Sequence, residues 1–125
     1  RNVEQDKLLS AKEFRGKITR YLEKEYCNPD INNTMIANHF GVSVSTFSHF
    51  FNSNMGMSIR EYIFQIRINR AKKLLVSTNE SIADIANNVG FRNVSYFIHS
   101  FKKATDETPN QYRKSLKKNI NRELI

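Results

Sequence analysis

Apolar residues recur at three- and four-residue intervals along most of the chain, and strict alternation is rare, so the pattern predicts helices throughout. Leu8, Ala11, Phe14, Ile18, Tyr21 and Leu22 form the first stripe. Asn28-Pro29-Asp30 ends it, because proline disfavours helical backbone in the residue before it. Later helix starts carry caps. Ser43 precedes Val44, Ser58-x-x-Glu61 is a capping box, and Ser81-x-x-Asp84 is a shorter-armed version. Thr108-Pro109-Asn110-Gln111 places proline at the first helical position and glutamine at the third. The expected helices lie near 4–26, 32–39, 43–54, 58–76, 81–88, 93–104 and 108–119, with the chain fraying from about Asn119.

The second signal is an internal repeat. Ile36-Ala37-x-x-x-Gly41 returns as Ile85-Ala86-x-x-x-Gly90 at an offset of 49. After the glycines the offset is 50: Phe47 matches Phe97, Phe51 matches Phe101, Ser58 matches Thr108 and Tyr62 matches Tyr112. One extra residue in the second turn accounts for the change. In each copy alanine lets two helices approach closely, glycine four residues on supplies the positive φ that ends the first helix, and a second helix starts at once. That is the helix-turn-helix layout, with its second helix presented outward. The fold expected is all-α: two helix-turn-helix subdomains, residues 1–57 and 77–125, joined by a long linker helix over 58–76. The linker is expected to bury Ile59, Tyr62, Ile63, Ile66, Leu74 and Leu75. At 1.5 Å per residue it is about 27 Å long, against roughly 34 Å between successive major grooves on one side of a duplex.

Charge narrows the partner. The 125 residues carry a formal net charge of +8, which favours an anionic partner. The excess is uneven: +1 over 1–31, no charged residue over 32–57, +3 over 58–80, 0 over 81–107 and +4 over 108–125. No run of 18 apolar residues exists to cross a bilayer, and no membrane partner is expected. Cys27 is the single cysteine, which excludes an internal disulfide and suits the cytoplasm. The chain opens on Arg1 without a signal segment, as a piece of a longer protein would.

The presented helices carry the candidate chemistry. In the first, Phe47, Phe50 and Phe51 take one side, and Ser45, Ser48, His49 and Asn52 form one stripe at i, i+3, i+4 and i+7. In the second, Phe97, Phe101 and Ala104 take the buried side, and Ser95, Ile98, His99 and Lys102 repeat the stripe. Such a stripe is ordinarily solvated surface; its place on the second helix of two helix-turn-helix units argues for base reading. Ile98 can pack on thymine methyl groups. Arg92 can grip guanine in bidentate fashion or touch a phosphate, and Asn93 can cap its helix or reach adenine. The base-reading set is therefore Val44, Ser45, Ser48, His49, Asn52, Arg92, Asn93, Ser95, Ile98 and His99. The first presented helix has no Lys or Arg, so it should contribute less affinity than the second. The phosphate set is Ser43, Arg67, Arg70, Lys72, Ser81, Lys102, Lys103 and Arg113, with Lys73 and Lys114 as further candidates and the N–H groups opening helices 32–39 and 81–88 beside them.

Two rival classes have less in their favour. His39, His49 and His99 are too scattered for a local metal motif, and no Cys-x-x-Cys or His-Glu-x-x-His occurs. Neither metal nor cofactor is expected, and His39 should satisfy carbonyls at its helix end. A helical protein-interaction module would use apolar faces that a core explains equally well.

With those residues assembled, the chain resembles the DNA-binding domain of the AraC/XylS family of bacterial transcription regulators. The resemblance covers about residues 14–116. It rests on Arg67-x-x-Arg70-Ala71-Lys72-x-Leu74-Leu75, Ser81-Ile82-x-x-Ile85-Ala86-x-x-Val89-Gly90-Phe91, Ser95-Tyr96-Phe97, Phe101-Lys102-Lys103 and Thr108-Pro109-x-x-Tyr112-Arg113. In the first half it rests on Ala37, Phe40-Gly41-Val42-Ser43, Phe51, Gly56, Ser58 and Glu61-Tyr62-Ile63. It implies two major-groove helices on double-stranded DNA. It also implies transcription control, often activation through RNA polymerase, and a sensor or receiver domain elsewhere in the parent protein. Asp106 departs from the family, standing where a turn glycine is usual.

Overall fold

In a computed structural model, residues 11–124 are described, and among them the chain is helical with short connections. The elements are α1 (Ala11–Glu25), α2 (Asn33–Phe40), α3 (Val44–Met55), α4 (Ile59–Ser77), α5 (Ile82–Asn88), α6 (Val94–Thr105) and α7 (Pro109–Leu124). The stretch expected to open the first helix, residues 4–10 with Leu8, lies outside the described residues. The last helix runs on to Leu124, past the fraying expected near 119. The chain divides into two compact units, Arg1–Gln65 and Ile66–Ile125, and the division falls inside α4.

The first unit is built on phenylalanine. Phe14, Ile18 and Leu22 of α1 are buried with Ile36 and Ala37 of α2, Val42 of the turn, Phe47 and Phe51 of α3, and Ile59 and Ile63 of α4. The Phe14 ring meets four others, Phe50 at 4.9 Å, Phe47 at 5.9 Å, Phe51 at 6.2 Å and Phe40 at 6.5 Å between centroids. Three of the four contacts are edge-on, the arrangement that ring quadrupoles favour.

The second unit repeats the plan with fewer rings. Ile68, Ala71 and Leu75 of α4 pack with Ile85, Ala86, Val89, Phe91, Phe97 and Phe101. Ile68 and Ala71 were not among the linker residues expected in the core. They follow at i and i+3 before Leu75, whereas Tyr62, Ile66 and Leu74 are only half-buried. One more expectation fails: Ala104 is exposed, and Ser100 is buried instead. Ala104 has the inward angle on the helix wheel, but it sits in the last turn of α6, one residue before the helix ends.

The repeat is physical as well as textual. Ala37 and Ala86 are fully buried. Gly41 N–H donates to the Asn38 carbonyl and Val42 N–H to the Ala37 carbonyl; Gly90 N–H donates to Asn87 and Phe91 N–H to Ala86. These are the paired bonds that close a helix through a left-handed residue, and both glycines have positive φ, 69° and 106°. Phe51 meets Tyr62 edge-on at 5.5 Å, and Phe101 meets Tyr112 edge-on at 5.4 Å. From Gly41 to the Ser43 cap is two residues, and from Gly90 to the Asn93 cap is three, which is the extra residue read from the sequence.

Candidate nucleic-acid interface

Each unit presents the helix after its turn. In α3, Ser43 is the N-cap; its hydroxyl accepts from Thr46 N–H at 3.1 Å and donates to Thr46 Oγ1 at 2.9 Å. Burial of Phe47 and Phe51 turns the opposite side outward. Val44, Ser45, His49 and Asn52 are exposed, and Ser48 is half-buried. In α6, Asn93 is the N-cap, accepting from Tyr96 N–H at 2.9 Å. Phe97 and Phe101 point inward, and Arg92, Asn93, Ser95, Ile98, His99, Lys102 and Lys103 are exposed. Each unit thus brings its own base-reading candidates together on one helix and the turn before it.

The caps restrict what three of these residues can do. The Oδ1 atom of Asn93 and the hydroxyls of Ser43 and Ser81 already hold helix N–H groups, Ser81 through Asp84 N–H at 3.0 Å. The Ser43 O–H is also given to Thr46 Oγ1, so a phosphate there would be held by backbone N–H groups of the helix start, whereas the Ser81 hydroxyl accepts from Asp84 N–H and can still donate its own proton. A paired contact from Asn93 to adenine would cost the cap.

The cations divide likewise. Lys73, Lys102, Lys103 and Lys114 are exposed, while Arg70 and Lys72 are half-buried. The Arg67 guanidinium stands over the Phe91 ring, 5.8 Å from its centroid, within the range of a cation–π contact. Arg113 has a structural role beside the phosphate contact expected of it. Its Nε donates to the Leu75 carbonyl at 2.9 Å and Nη2 to the Thr78 carbonyl at 3.3 Å. Those carbonyls belong to the end of α4, where the last turn lacks helical donors. The planar guanidinium fork spans both, so Arg113 ties α7 to α4 within the second unit. His39, expected on helix-end carbonyls, instead lies against the Tyr21 ring at 4.2 Å.

One exposed residue escaped the sequence reading. Tyr96 is 53% exposed in the first turn of α6, beside Phe91 at 6.2 Å. At 100° per residue it lies 60° from His99, between the outward stripe and the buried side. An aromatic at that angle, one residue after Ser95, was the signal available. Among the described residues no group of three or more His, Cys, Asp or Glu is arranged to hold a metal ion. No described helix is long and apolar enough to cross a membrane.

A family model described as a helix-turn-helix domain matches residues 36–115, both turns and the helices that follow them. The chain belongs to that family. It is a helix-turn-helix DNA-binding domain of the AraC/XylS type. The arabinose operon regulatory protein of Escherichia coli K12 is 31% identical over 102 residues, 82% of this chain and 35% of that protein. The Bacillus subtilis protein described as a bifunctional transcriptional activator/DNA repair enzyme, AdaA, is 48% identical over 62 residues, 50% of this chain and 29% of that protein. The chain thus spans about a third of the length of these curated relatives. Among solved structures, the C-terminal domain of the two-component response regulator yesN from Fusobacterium nucleatum superposes with a TM-score of 0.78 at 33% identity, covering 81% of this chain and 98% of that one. The AraC/XylS-type fold expected from the residues is therefore the one observed, in all-α form.

Proposed function

We propose that this domain reads double-stranded DNA with α3 and α6, each lying in a major groove, and that it regulates bacterial transcription from the cytoplasm. One observation carries the reading. The same hydrogen-bonded turn occurs twice, and each time the helix after it buries two phenylalanines and leaves a polar stripe exposed. A fold needs that geometry to pack a core; it does not need it to repeat with an outward face of serine, histidine and amide side chains. Val44, Ser45, Ser48, His49 and Asn52 read bases for the first unit, and Arg92, Asn93, Ser95, Ile98 and His99 for the second. Phosphates fall to Arg67, Arg70, Lys72, Lys102 and Lys103 and to the N–H groups after Ser43 and Ser81. Two copies in tandem in one chain give a non-palindromic site of about two turns without a dimer.

The reading extends to activation through contact with RNA polymerase, under a sensor or receiver domain of the parent protein. The description of AdaA as a transcriptional activator and of yesN as a two-component response regulator supports it. It assigns the segment binding and not catalysis. The decisive experiment is selection from a random duplex pool, followed by titration of the selected site at low and high salt. Binding should weaken steeply with salt. Arg92→Ala should cost about 1–3 kcal/mol and Ser48→Ala less. Salt-independent binding, a footprint within one groove segment, or equal losses for the two variants would each count against the assignment.

A further inference from the structure

Residues 32–57 contain no charged side chain, yet the first unit carries a concentrated positive site on α1. Lys17, Arg20 and Lys24 follow at i, i+3 and i+7, so they leave one side of the helix. With Tyr21 and Glu25 of α1 and His39 and Phe40 from the end of α2, they line an open cleft of about 640 Å³. That volume is in the range of small-ligand sites. Glu25 is the single carboxylate of the lining against three cations. Like charges at such spacing weaken a helix, and the carboxylates spaced to offset them, Glu13 four residues before Lys17 and Glu23 three after Arg20, lie outside the cleft lining.

The back of the cleft is aromatic. The His39 and Tyr21 rings lie 4.2 Å apart at 33°, and Phe40 meets Tyr21 edge-on at 5.7 Å. The internal repeat shows what the scaffold itself requires here. At the offset of 49, His39 and Phe40 correspond to Asn88 and Val89. Asn88 donates to Glu80 at 3.4 Å and Val89 is buried. The same turn closes with an amide and a small aliphatic residue, so the ring pair is particular to the first unit. None of the cleft residues belongs to α3.

We propose that this cleft is a phosphate-binding site, independent of which helix residues read bases. Lys17, Arg20, Lys24 and His39 supply the N–H donors. A guanidinium matches two phosphate oxygens at once, and three cations within two turns suit a multiply charged group better than a lone carboxylate. The Tyr21–His39 pair offers a stacking surface to a ring carried with the phosphates. The Tyr21 phenol is held above its ordinary pKa by burial and then by Glu25, so it stays a neutral hydrogen-bond donor in the cleft. The phosphates can belong to a free nucleotide or to a nucleic-acid backbone.

The test uses the 125-residue chain with two probes: ATP followed by NMR, and a random 30-base-pair duplex followed by fluorescence at several salt concentrations. Two variants are compared after circular dichroism confirms their helix content. One is Lys17→Gln/Arg20→Gln/Lys24→Gln. The other, Lys12→Gln/Arg15→Gln, removes two exposed cations of α1 outside the cleft. A free-nucleotide source predicts saturable shifts of the Tyr21 and His39 ring resonances with ATP, lost in the triple variant and kept in the control. A backbone source predicts no such shifts. Instead, the slope of log affinity against log salt becomes shallower by about 2–3 in the triple variant, roughly 0.9 for each phosphate lost, and the control changes it far less. If the triple variant fails to fold, His39→Asn installs the residue of the second repeat and should weaken the responding probe several-fold. Ring resonances indifferent to ATP, together with salt slopes that do not distinguish the variants, would overturn the proposal.

Discussion

Asp106 holds a conformation that its own repeat assigns to glycine. It caps α6 with φ 67° and ψ 5°, and its N–H donates to the Lys102 carbonyl at 2.7 Å. Fifty residues earlier Gly56 caps α3 with φ 71° and ψ 12°, donating to Asn52. A left-handed L-residue costs roughly 1–2 kcal/mol, toward the lower end for aspartate, which tolerates that region. Asp106→Gly removes this cost but returns about 0.5 kcal/mol as the greater freedom of unfolded glycine. It also removes a carboxylate from the negative end of the α6 dipole, worth about 0.3–1 kcal/mol. The net expectation is a gain of about 1 kcal/mol in urea unfolding followed by circular dichroism. Asp106→Asn should recover only the electrostatic share, and that share should shrink at high salt. The mirror experiment is Gly56→Ala. A Cβ there would meet no atom within 4 Å, so its expected loss of about 1 kcal/mol is conformational and not steric. If Asp106→Gly is no more stable than Asp106→Asn, the backbone stores no strain at this cap.

Other expectations follow from single contacts. Arg113→Ala should destabilise the second unit by about 1.5–3 kcal/mol, the range for hydrogen bonds to a charged group. Lysine should rescue it poorly, since it lacks the fork, and the salt slope of DNA binding should stay unchanged; a slope shallower by about one would place Arg113 on a phosphate instead. Thr108 and Gln111 form a reciprocal box, with Gln111 N–H on Thr108 Oγ1 at 3.2 Å and Thr108 N–H on Gln111 Oε1 at 2.8 Å. Thr108→Ala should cost about 1 kcal/mol in the same unfolding assay, and an unchanged midpoint would show the box to be idle. Tyr21 and Tyr112 are both raised above 10.0, chiefly by burial and then by Glu25 and Glu107. The folded chain then keeps these protons longer than the unfolded chain, so their stabilisation is complete below pH 10 and declines as pH rises through the folded values. Unfolding at stepped alkaline pH should show that decline, and Tyr112→Phe should lessen it.

Much of this molecule was legible before any coordinates. Periodicity and caps placed the helices because an amphipathic helix announces its buried side every three to four residues, and Ser43, Ser58, Ser81 and Thr108 bond the N–H groups three residues on. The duplication placed both turns, since Ala-x-x-x-Gly records a close helix approach and a positive φ. The outward stripes of α3 and α6 were legible for the same reason, as the residues left over once the phenylalanines are buried.

What the sequence by itself determined, then, is most of what depends on neighbours within about four residues: helix identity, caps, turns and the outward stripes of α3 and α6, though not the full buried side of α4 or the place of Ala104. Only the tertiary structure decided the contacts made across longer separations. Arg113 reaches back 38 residues to Leu75, His39 lies on Tyr21 rather than on its own helix end, and Arg67 stands over Phe91. A long cationic or aromatic side chain presents the same pattern in sequence whether it meets a carbonyl, a ring or a phosphate. Its partner is chosen by which helices pack together, and that information is not local.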